Sequence, residues 1–264
     1  MKKKAKAKAA PTISIEQAIE QKRAELLALE ASRPNRSTIP TAATVVIPVH
    51  DSFLTLGRCL RHLAIGHQSV PLNLILVDNG STDPCKDVLD TSRGEPSIAG
   101  WLRAAGFRTV KILPPVAQAT RHFDGQPLEG QERINKNLEF VWKKLTWEAS
   151  KLDAPYILYA DSDVFCPVDG VRVLVETLDH DPKVVLAGIK YDWDTDHVQM
   201  GMTLGRLSVL KDVKWQSEGC PCRWLDREMR RRGYKVVHIE PRAIDRPGYG
   251  NVRMVAVHAR HVVG

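Results

Sequence analysis

Hydrophobic positions along the chain alternate between two periods. From Thr44 onward, short apolar and β-branched runs are followed by stretches in which apolar residues recur every three or four positions. Repeated βα units of this kind predict a largely parallel sheet with helices on both faces. The predicted strands cover 44–49, 72–78, 107–113, 156–160, 184–189 and 235–239, and the predicted helices cover 52–65, 131–151, 171–178 and 223–232. Asp83-Pro84 should begin a further short helix, and the pattern over 199–210 favours neither state.

The chain divides into three parts by pattern. Residues 1–12 predict a basic disordered tail, and residues 13–41 a helix followed by a linker. Ser14 and Gln17 form a capping box at the start of that helix. The helix either packs on the body as an arm or joins copies of the chain. Residues 42–264 are expected to form the single α/β domain.

Charge and composition exclude several classes. The net charge is +7, but residues 1–8 alone hold five lysines and no acid, which leaves only +2 on the rest. A basic tail, and not a nucleic-acid-binding surface, accounts for most of this charge. No apolar run approaches the ~18 residues that cross a bilayer. The basic start lacks the apolar core of a signal peptide, so secretion is not expected.

The cysteines indicate a reducing compartment. Their number is odd and no CxxC pair occurs, so the chain shows neither a disulfide framework nor a zinc site. The five are Cys59, Cys85, Cys166, Cys220 and Cys222. We expect reduced thiols and a cytoplasmic protein.

Two carboxylates follow the apolar run 156–160. Asp161 and Asp163 lie one residue apart, so they point the same way off the end of the predicted strand. Ligands in open α/β sheets bind outside the carboxyl ends of the strands. Mg²⁺ or Mn²⁺ held with a nucleotide diphosphate typically takes one or two such carboxylates. The alternative is an Asp-rich turn that only caps the next segment.

Two other strands also end in polar residues, at 48–51 and 77–83. Because parallel strands bring these ends to one edge, the three segments could line a single cleft. The chain contains no GxxxxGK loop, no GxGxxG after a strand, no GxSxG and no HExxH. These absences disfavour P-loop NTPases, standard dinucleotide-binding enzymes, α/β-hydrolases and zincins.

Three segments together resemble family 2 glycosyltransferases of GT-A fold. They are TVVIPVHD (44–51), LILVDNGSTD (74–83) and YILYADSDVF (156–165), and they occur in the family's order and spacing. The segment DREMRRRGYKVVHI (226–239) is similar to the family's closing helix and strand. The resemblance implies a Rossmann-like GT-A domain. It also implies metal-dependent transfer of a sugar, with inversion, from a nucleotide diphosphate to a hydroxyl acceptor.

The same resemblance implies roles for the first two segments. Pro48, Val49 and His50 would line the base and ribose of the donor. Asp78 would accept a hydrogen bond from the base, and Asn79 would shape the turn that follows. The alternative role for Asp78 is an Asx-turn that closes the strand, and both roles can coexist.

The third segment would hold the diphosphate. By resemblance, Asp163 ligates Mn²⁺ or Mg²⁺, while Asp161 lies nearer the ribose or sugar and contributes to the metal site. Arg133 and Asn135 stand where the family often has an Arg-Asn pair facing the diphosphate. Two exposed helix residues are the alternative for that pair.

The chain departs from the family at the general base. The usual Glu-Asp pair is replaced in the region of Cys220–Cys222, which leaves Asp226 and Glu218 as candidates. Either could instead be an ion-pair partner of nearby arginines. A third metal ligand, in the family often a late histidine, would be His258 or His261.

The C-terminal third holds candidate acceptor contacts. The basic residues there favour a solvated helix face over contact with an anionic acceptor. They are Arg223, Arg227, Arg230, Arg231, Arg232 and Lys235. Three tryptophans would suit either sugar rings or the core: Trp193, Trp215 and Trp224.

Partners follow only by analogy. A UDP-sugar is the expected donor, and the acceptor is a hydroxyl on a glycan, a lipid-linked sugar, a protein or modified DNA. A catalytically silent module that binds a nucleotide-sugar or glycan is the alternative, favoured by the missing Glu-Asp pair. A nucleotidyltransferase is less favoured, because VIPVHDSF lacks the Gly-rich basic loop that this reaction would need.

Overall fold

The computed structural model describes most of the chain from residue 41 onward. The described residues are 41–66, 70–82, 98–116, 129–167, 169–190, 196–216, 219–239, 243–246, 250–253 and 257–258. The predicted tail, the predicted helix and linker up to residue 40, and the short helix expected from Asp83 lie outside them. Their structure, and any self-association through the N-terminal helix, stay predictions.

A seven-stranded sheet forms the centre of the fold. Its order is β3-β2-β1-β4-β7-β6-β8. The strands are β1 (Ala43–Val49), β2 (Leu72–Asp78), β3 (Val110–Leu113), β4 (Tyr156–Ala160), β6 (Val184–Ile189), β7 (Met202–Arg206) and β8 (Lys235–Ile239). Strands β1, β2, β3 and β4 pair in parallel, as do β6 and β8. The predicted, mostly parallel α/β sheet is confirmed.

Strand β7 runs antiparallel to both of its neighbours, β4 and β6. It comes from the segment 199–210, whose pattern decided neither state. The reason is visible in the structure, because this segment changes state halfway and its last four residues form a short helix, Leu207–Leu210.

Helices cover both faces of the sheet, as predicted. They are α1 (Phe53–Gly66), α2 (Ile98–Ala104), α3 (Gly130–Ala149), α4 (Gly170–His180), α5 (Leu207–Leu210) and α6 (Pro221–Arg231). Neighbouring β1 residues such as Val45 and Val46 are fully buried in opposite cores. A strand buried on both faces reads as a continuous apolar run, which is why the pattern located β1, β2, β4 and β6 closely.

Each core has its own set of helices. Leu60 of α1 and Leu174 of α4 pack on one face of the sheet. Trp142 of α3 and Leu225 of α6 pack on the other. Helix α6 begins with Pro221 and is followed by Gly233 at φ 82°, a left-handed conformation that ends helices readily.

Two short antiparallel ribbons complete the described part of the chain. Strand β5 (Val164–Phe165) pairs with β11 (Val257–His258), and β9 (Ala243–Arg246) pairs with β10 (Gly250–Arg253). Such short strands carry too little pattern to be predicted. None of the helices in the described ranges is long and apolar enough to cross a membrane.

Candidate active site

The polar ends of β1, β2 and β4 meet at the carboxyl edge of the sheet. Because these strands are adjacent and parallel, the loop 50–52, the loop 79–82 and the turn 161–163 leave the sheet side by side. The single cleft expected from the sequence therefore has a structural basis in strand order.

Hydrogen bonds join the first loop to the second. His50 Nδ1 donates to the carbonyl oxygen of Asn79 over 3.0 Å. The backbone N–H of Asp51 donates to Ser81 Oγ over 3.1 Å, and that of Thr82 donates to Asp51 Oδ1 over 2.7 Å. Asp51 has a positive φ of 43°, a conformation that aspartate tolerates better than most residues. These contacts fix the two loops to each other.

Asp78 is buried at the end of β2, with 4% of its surface exposed. Its Oδ1 accepts a hydrogen bond from the N–H of Ser81 over 2.8 Å. This is the turn-closing role expected as an alternative. It leaves the carboxylate held rigidly at the strand end, where a carboxylate oxygen can still accept a further hydrogen bond.

Ser52 and Ser162 join the loop after β1 to the turn after β4. Ser162 Oγ donates to Ser52 Oγ over 2.7 Å, and Ser52 Oγ donates to the carbonyl of His50 over 2.5 Å. The carbonyl of Ser52 accepts from the N–H of Leu56 at the start of α1. Sequence reasoning missed this link, although Ser162 stands inside the Asp-Ser-Asp motif.

Asp161 and Asp163 flank that serine in a tight turn. The N–H of Asp161 donates to Gly201 over 3.2 Å, and its carbonyl accepts from Val164 over 3.2 Å. Burial raises the pKa of the Cys59 thiol, and the negative charges of Cys166, Asp163 and Asp161 raise it further. Both carboxylates are therefore close enough to Cys59 for their charge to affect its thiol.

The donor set suits a hard divalent cation. Both aspartates are half-buried and supply carboxylate oxygens, the ligands that Mg²⁺ and Mn²⁺ prefer. Within the described ranges, no group of three or more His, Cys, Asp or Glu side chains could hold a metal ion. Two carboxylates are nevertheless the number that Mg²⁺ commonly takes from a protein when phosphate and water oxygens supply the other ligands.

Of the two late histidines expected as a third metal ligand, one lies within the described residues and the other does not. The backbone of His258 in β11 pairs with Val164, one residue after Asp163. His261 lies outside the described residues, as does Glu218, one of the two base candidates.

Asp226, the other base candidate, is buried on α6 with 2% of its surface exposed. Its Oδ2 accepts from the N–H of Val198 over 2.9 Å and lies 3.4 Å from His238 Nε2. Its Oδ1 accepts from Arg230 Nε over 2.5 Å. Both oxygens are therefore engaged inside the protein, which is the ion-pair role held open as the alternative.

Arg133 and Asn135 lie in the first turns of α3. Arg133 is exposed, and Asn135 Oδ1 accepts from Gln131 Nε2 over 3.1 Å. Among the described contacts, none joins this pair to Asp161 or Asp163.

The basic residues of α6 and β8 are largely paired with acids. Glu228 accepts from Arg231 and Arg232, each over 2.7 Å, and Asp181 accepts from Lys235 over 2.7 Å. A paired, solvated face is therefore the better description of this cluster.

Of the three candidate tryptophans, Trp215 lies in the core and the half-buried Trp224 packs against it. Trp215 is 5% exposed and packs on Trp224, with ring centroids 5.8 Å apart. Trp193 lies outside the described residues.

Comparison with known proteins bears on the fold. No established protein-family model matches the sequence, and no curated protein matches it. The mannosyltransferase from Pyrobaculum calidifontis, solved with GDP-Man and Mn²⁺, superposes with a TM-score of 0.51 at 15% identity. The match covers 92% of this chain and 64% of that one. The chain has a GT-A-type fold.

Two further glycosyltransferase structures match less closely. Glucosyl-3-phosphoglycerate synthase from Mycobacterium tuberculosis, solved with Mn²⁺ and UDP-glucose, gives a TM-score of 0.49 at 14% identity. That match covers 95% of this chain and 77% of that chain. TarS of S. aureus gives 0.47 at 13% identity, covering 75% of this chain and 35% of its own. This protein therefore spans about a third of the length of TarS and under two thirds of the length of the mannosyltransferase.

Proposed function

We propose that the protein is a glycosyltransferase that moves a sugar from a nucleotide diphosphate to a hydroxyl acceptor. One observation carries the proposal: in a GT-A-type fold, three polar strand ends are hydrogen-bonded into one site that includes Asp161 and Asp163. A site of this kind sits where ligands bind in open α/β sheets.

The loops after β1 and β2 would bind the nucleoside. Pro48 and Val49 end a fully buried strand, so the following backbone is held in place, and His50 is fixed by its bond to Asn79. Asp78 would accept a hydrogen bond from a ring N–H of the base, because its carboxylate is already positioned by Ser81. We propose a UDP-sugar as the donor.

The turn after β4 would bind the diphosphate through a divalent cation. Mn²⁺ or Mg²⁺, when bound, would neutralise negative charge that develops on the leaving diphosphate. Asp163 and Asp161 would hold it. His258 is proposed as a third ligand, and the backbone pairing of β11 with Val164 supports this proposal. The Mn²⁺ and GDP-Man in the mannosyltransferase of this fold support that assignment. Arg133 is proposed to meet the phosphates from α3.

The general base is proposed to be a carboxylate that takes the proton of the acceptor hydroxyl, giving inversion. Of the two candidates, Asp226 has both oxygens occupied by internal partners, which favours Glu218. The occupied state of Asp226 also supports the second candidate function, a module that binds a nucleotide-sugar without turning it over. Within the described part of the chain, the cysteines form no disulfide, which supports the proposed reducing, cytoplasmic compartment; they are Cys59, Cys166, Cys220 and Cys222.

Release of nucleotide diphosphate tests the proposal. The full chain is incubated with UDP-glucose, UDP-GlcNAc and GDP-mannose, with and without Mn²⁺, and free UDP or GDP is measured with a pool of glycan acceptors present. We expect metal-dependent release from at least one donor, lost in Asp163→Asn. Asp153→Asn is the matched control, because Asp153 is exposed and precedes the opposite end of β4.

Three results are distinguishable. Release that persists in Asp163→Asn contradicts the assigned metal site. Donor binding without release in the wild type supports the binding module instead. Neither binding nor release for any donor contradicts both functions.

A further inference from the structure

A carboxylate, an imidazole and a thiol form a chain next to the N-terminus of α6. His197 Nδ1 donates to Asp196 Oδ1 over 2.7 Å, and His197 Nε2 lies 3.8 Å from Cys220 Sγ. Arg223 donates to the same Asp196 oxygen over 3.1 Å. The proposed sugar transfer assigns no role to these residues.

Cys220 occupies the position just before the first turn of α6, and Pro221 follows at the first helical position. The unpaired N–H groups of a helix start favour negative charge there. The N–H of Trp224 in the first turn donates to the carbonyl of Cys220 over 3.1 Å, so Cys220 stands at the cap of this helix.

Accessibility separates this sulfur from the buried thiols. Cys220 is half-buried, whereas Cys59 and Cys166 are buried in the core. The His197 side chain is only 11% exposed, so water competes little for its two hydrogen bonds. A small reagent can therefore reach Cys220 while its imidazole partner stays shielded.

Electrostatics agrees with the geometry. The hydrogen bond from Cys222 lowers the pKa of the Cys220 thiol, burial opposes this, and His197 lowers it further. The hydrogen bond to Cys220 in turn raises the pKa of His197, with Asp196 adding to the effect. By contrast, burial raises the pKa of Cys166 to about 12. The hydrogen bond to Cys220 and burial raise the pKa of Cys222, and the charge of Asp161 raises it further.

We propose that Cys220 is a modification site: a thiolate, paired with the imidazolium of His197, that attacks hydroperoxides and other small electrophiles in preference to the other thiols. Thiolates at helix starts beside a histidine are the reactive form of cysteine in proteins.

The step balances with a hydroperoxide as oxidant. The thiolate sulfur attacks the terminal peroxide oxygen, an S–O bond forms and the O–O bond breaks. The leaving alkoxide or hydroxide takes the proton of the His197 imidazolium. The sulfur is oxidised by two electrons to sulfenic acid, and the peroxide is reduced to an alcohol or water.

Reactivity of the full chain tests this directly. The native protein is treated with limiting iodoacetamide between pH 3 and pH 9, and separately with hydrogen peroxide plus dimedone. The label on each cysteine is located and quantified by tandem mass spectrometry, which separates Cys220 from Cys222. We expect Cys220 to carry most of the label. At pH 6 it should react at least about tenfold faster than glutathione, because an ordinary thiol there is almost wholly protonated.

His197→Gln should move the midpoint of the alkylation profile up by about a unit or more, since the imidazolium no longer stabilises the thiolate. Cys222→Ala is a second, independent variant, which removes the thiol donor beside Cys220. The matched control is His180→Gln, an exposed histidine in the last turn of α4, which should leave the profile unchanged.

The proposal fails if Cys220 titrates like glutathione, or if His197→Gln and Cys222→Ala both leave its profile unchanged. Preferential labelling of any other cysteine would also overturn it. None of these outcomes depends on whether the protein transfers sugars.

Discussion

Ser162 Oγ lies 2.7 Å from Ser52 Oγ and thereby joins the turn after β4 to the start of α1. Ser162 is 6% exposed, so its hydroxyl is shielded from water. This bond holds the turn that carries Asp161 and Asp163 against the loop that follows β1.

Ser162→Ala should destabilise the fold by about 1 kcal/mol, the usual contribution of one hydrogen bond. It should also weaken binding of a nucleotide diphosphate, because Asp161 and Asp163 lose their fixed positions. Urea unfolding and calorimetric titration measure the two effects. Ser208→Ala, at an exposed serine of α5, is the control, and equal behaviour of the two variants would contradict the structural role.

We expect substitution of Asp226 to lower the stability of the fold first, and the catalytic rate only secondarily. Asp226→Asn removes a charge that pairs with Arg230 and accepts from the N–H of Val198. We expect the free energy of unfolding to fall by roughly 1–3 kcal/mol, as for a hydrogen bond to a buried charged group. Asp212→Asn, at an exposed position, should change it little.

Turnover separates the two roles of Asp226. A variant of wild-type stability whose turnover falls by orders of magnitude would identify Asp226 as the base. Loss of stability with turnover retained at low temperature is the result that the buried ion pair predicts.

Substitution of Gly205 tests how tightly the antiparallel strand β7 is packed. A Cβ there would lie 2.2 Å from Leu210 Cδ1 and 3.0 Å from Leu186 Cδ2. Gly205→Ala should therefore cost about 1–3 kcal/mol, the usual range for overpacking a core. Gly57→Ala is the matched control on α1, where a Cβ meets nothing within 4 Å. It should stabilise by about 0.5–1 kcal/mol through helix propensity.

Both variants are measured by urea unfolding. If Gly205→Ala is as stable as Gly57→Ala, then β7 does not pack between β4 and β6 as described.

The decrease in unfolding free energy at acid pH should depend on Glu148. Burial would raise the pKa of Glu148, but hydrogen bonds from Lys111 and Lys151 bring it below the ordinary value. A lowered pKa stabilises the fold fully above the unfolded value of ~4.3, and this stabilisation is lost as the pH falls through the folded value. The difference in unfolding free energy between wild type and Glu148→Gln should therefore shrink between pH 6 and pH 3.

Urea unfolding across that range provides the measurement. Glu176→Gln is the control, because Glu176 forms an exposed pair with Arg172. A difference between wild type and Glu148→Gln that stays constant with pH would exclude the coupling.

Sequence reasoning reached the fold where burial on both faces left long apolar runs. Strands such as Leu72–Asp78 and Tyr156–Ala160 were located to the residue for that reason. It did not place β7, because the segment 199–210 changes from strand to helix after Arg206 and neither period runs long enough to be seen. The ribbon of β5 and β11 is two residues long and leaves no periodic signal.

The candidate site was only partly predictable. Asp78, Asp161 and Asp163 could be predicted as site residues, because an acid at the end of an apolar run can be recognised in a single sequence. The Ser52–Ser162 bond spans 110 positions and needs the fold to be seen. The chain of Asp196, His197 and Cys220 is likewise assembled by α6 meeting the loop before β7.

Metal-dependent binding of a nucleotide diphosphate tests the central claim most directly. UDP and GDP are titrated against wild type, Asp163→Asn and the control Asp153→Asn, each with and without Mn²⁺, and thermal unfolding is followed. Ligand at a hundred times its dissociation constant should stabilise the wild type and the control by about 2.7 kcal/mol when Mn²⁺ is present. That stabilisation should vanish in Asp163→Asn. A shift of equal size in Asp163→Asn, or no shift for either nucleotide in the wild type, would contradict a nucleotide diphosphate site at Asp161 and Asp163.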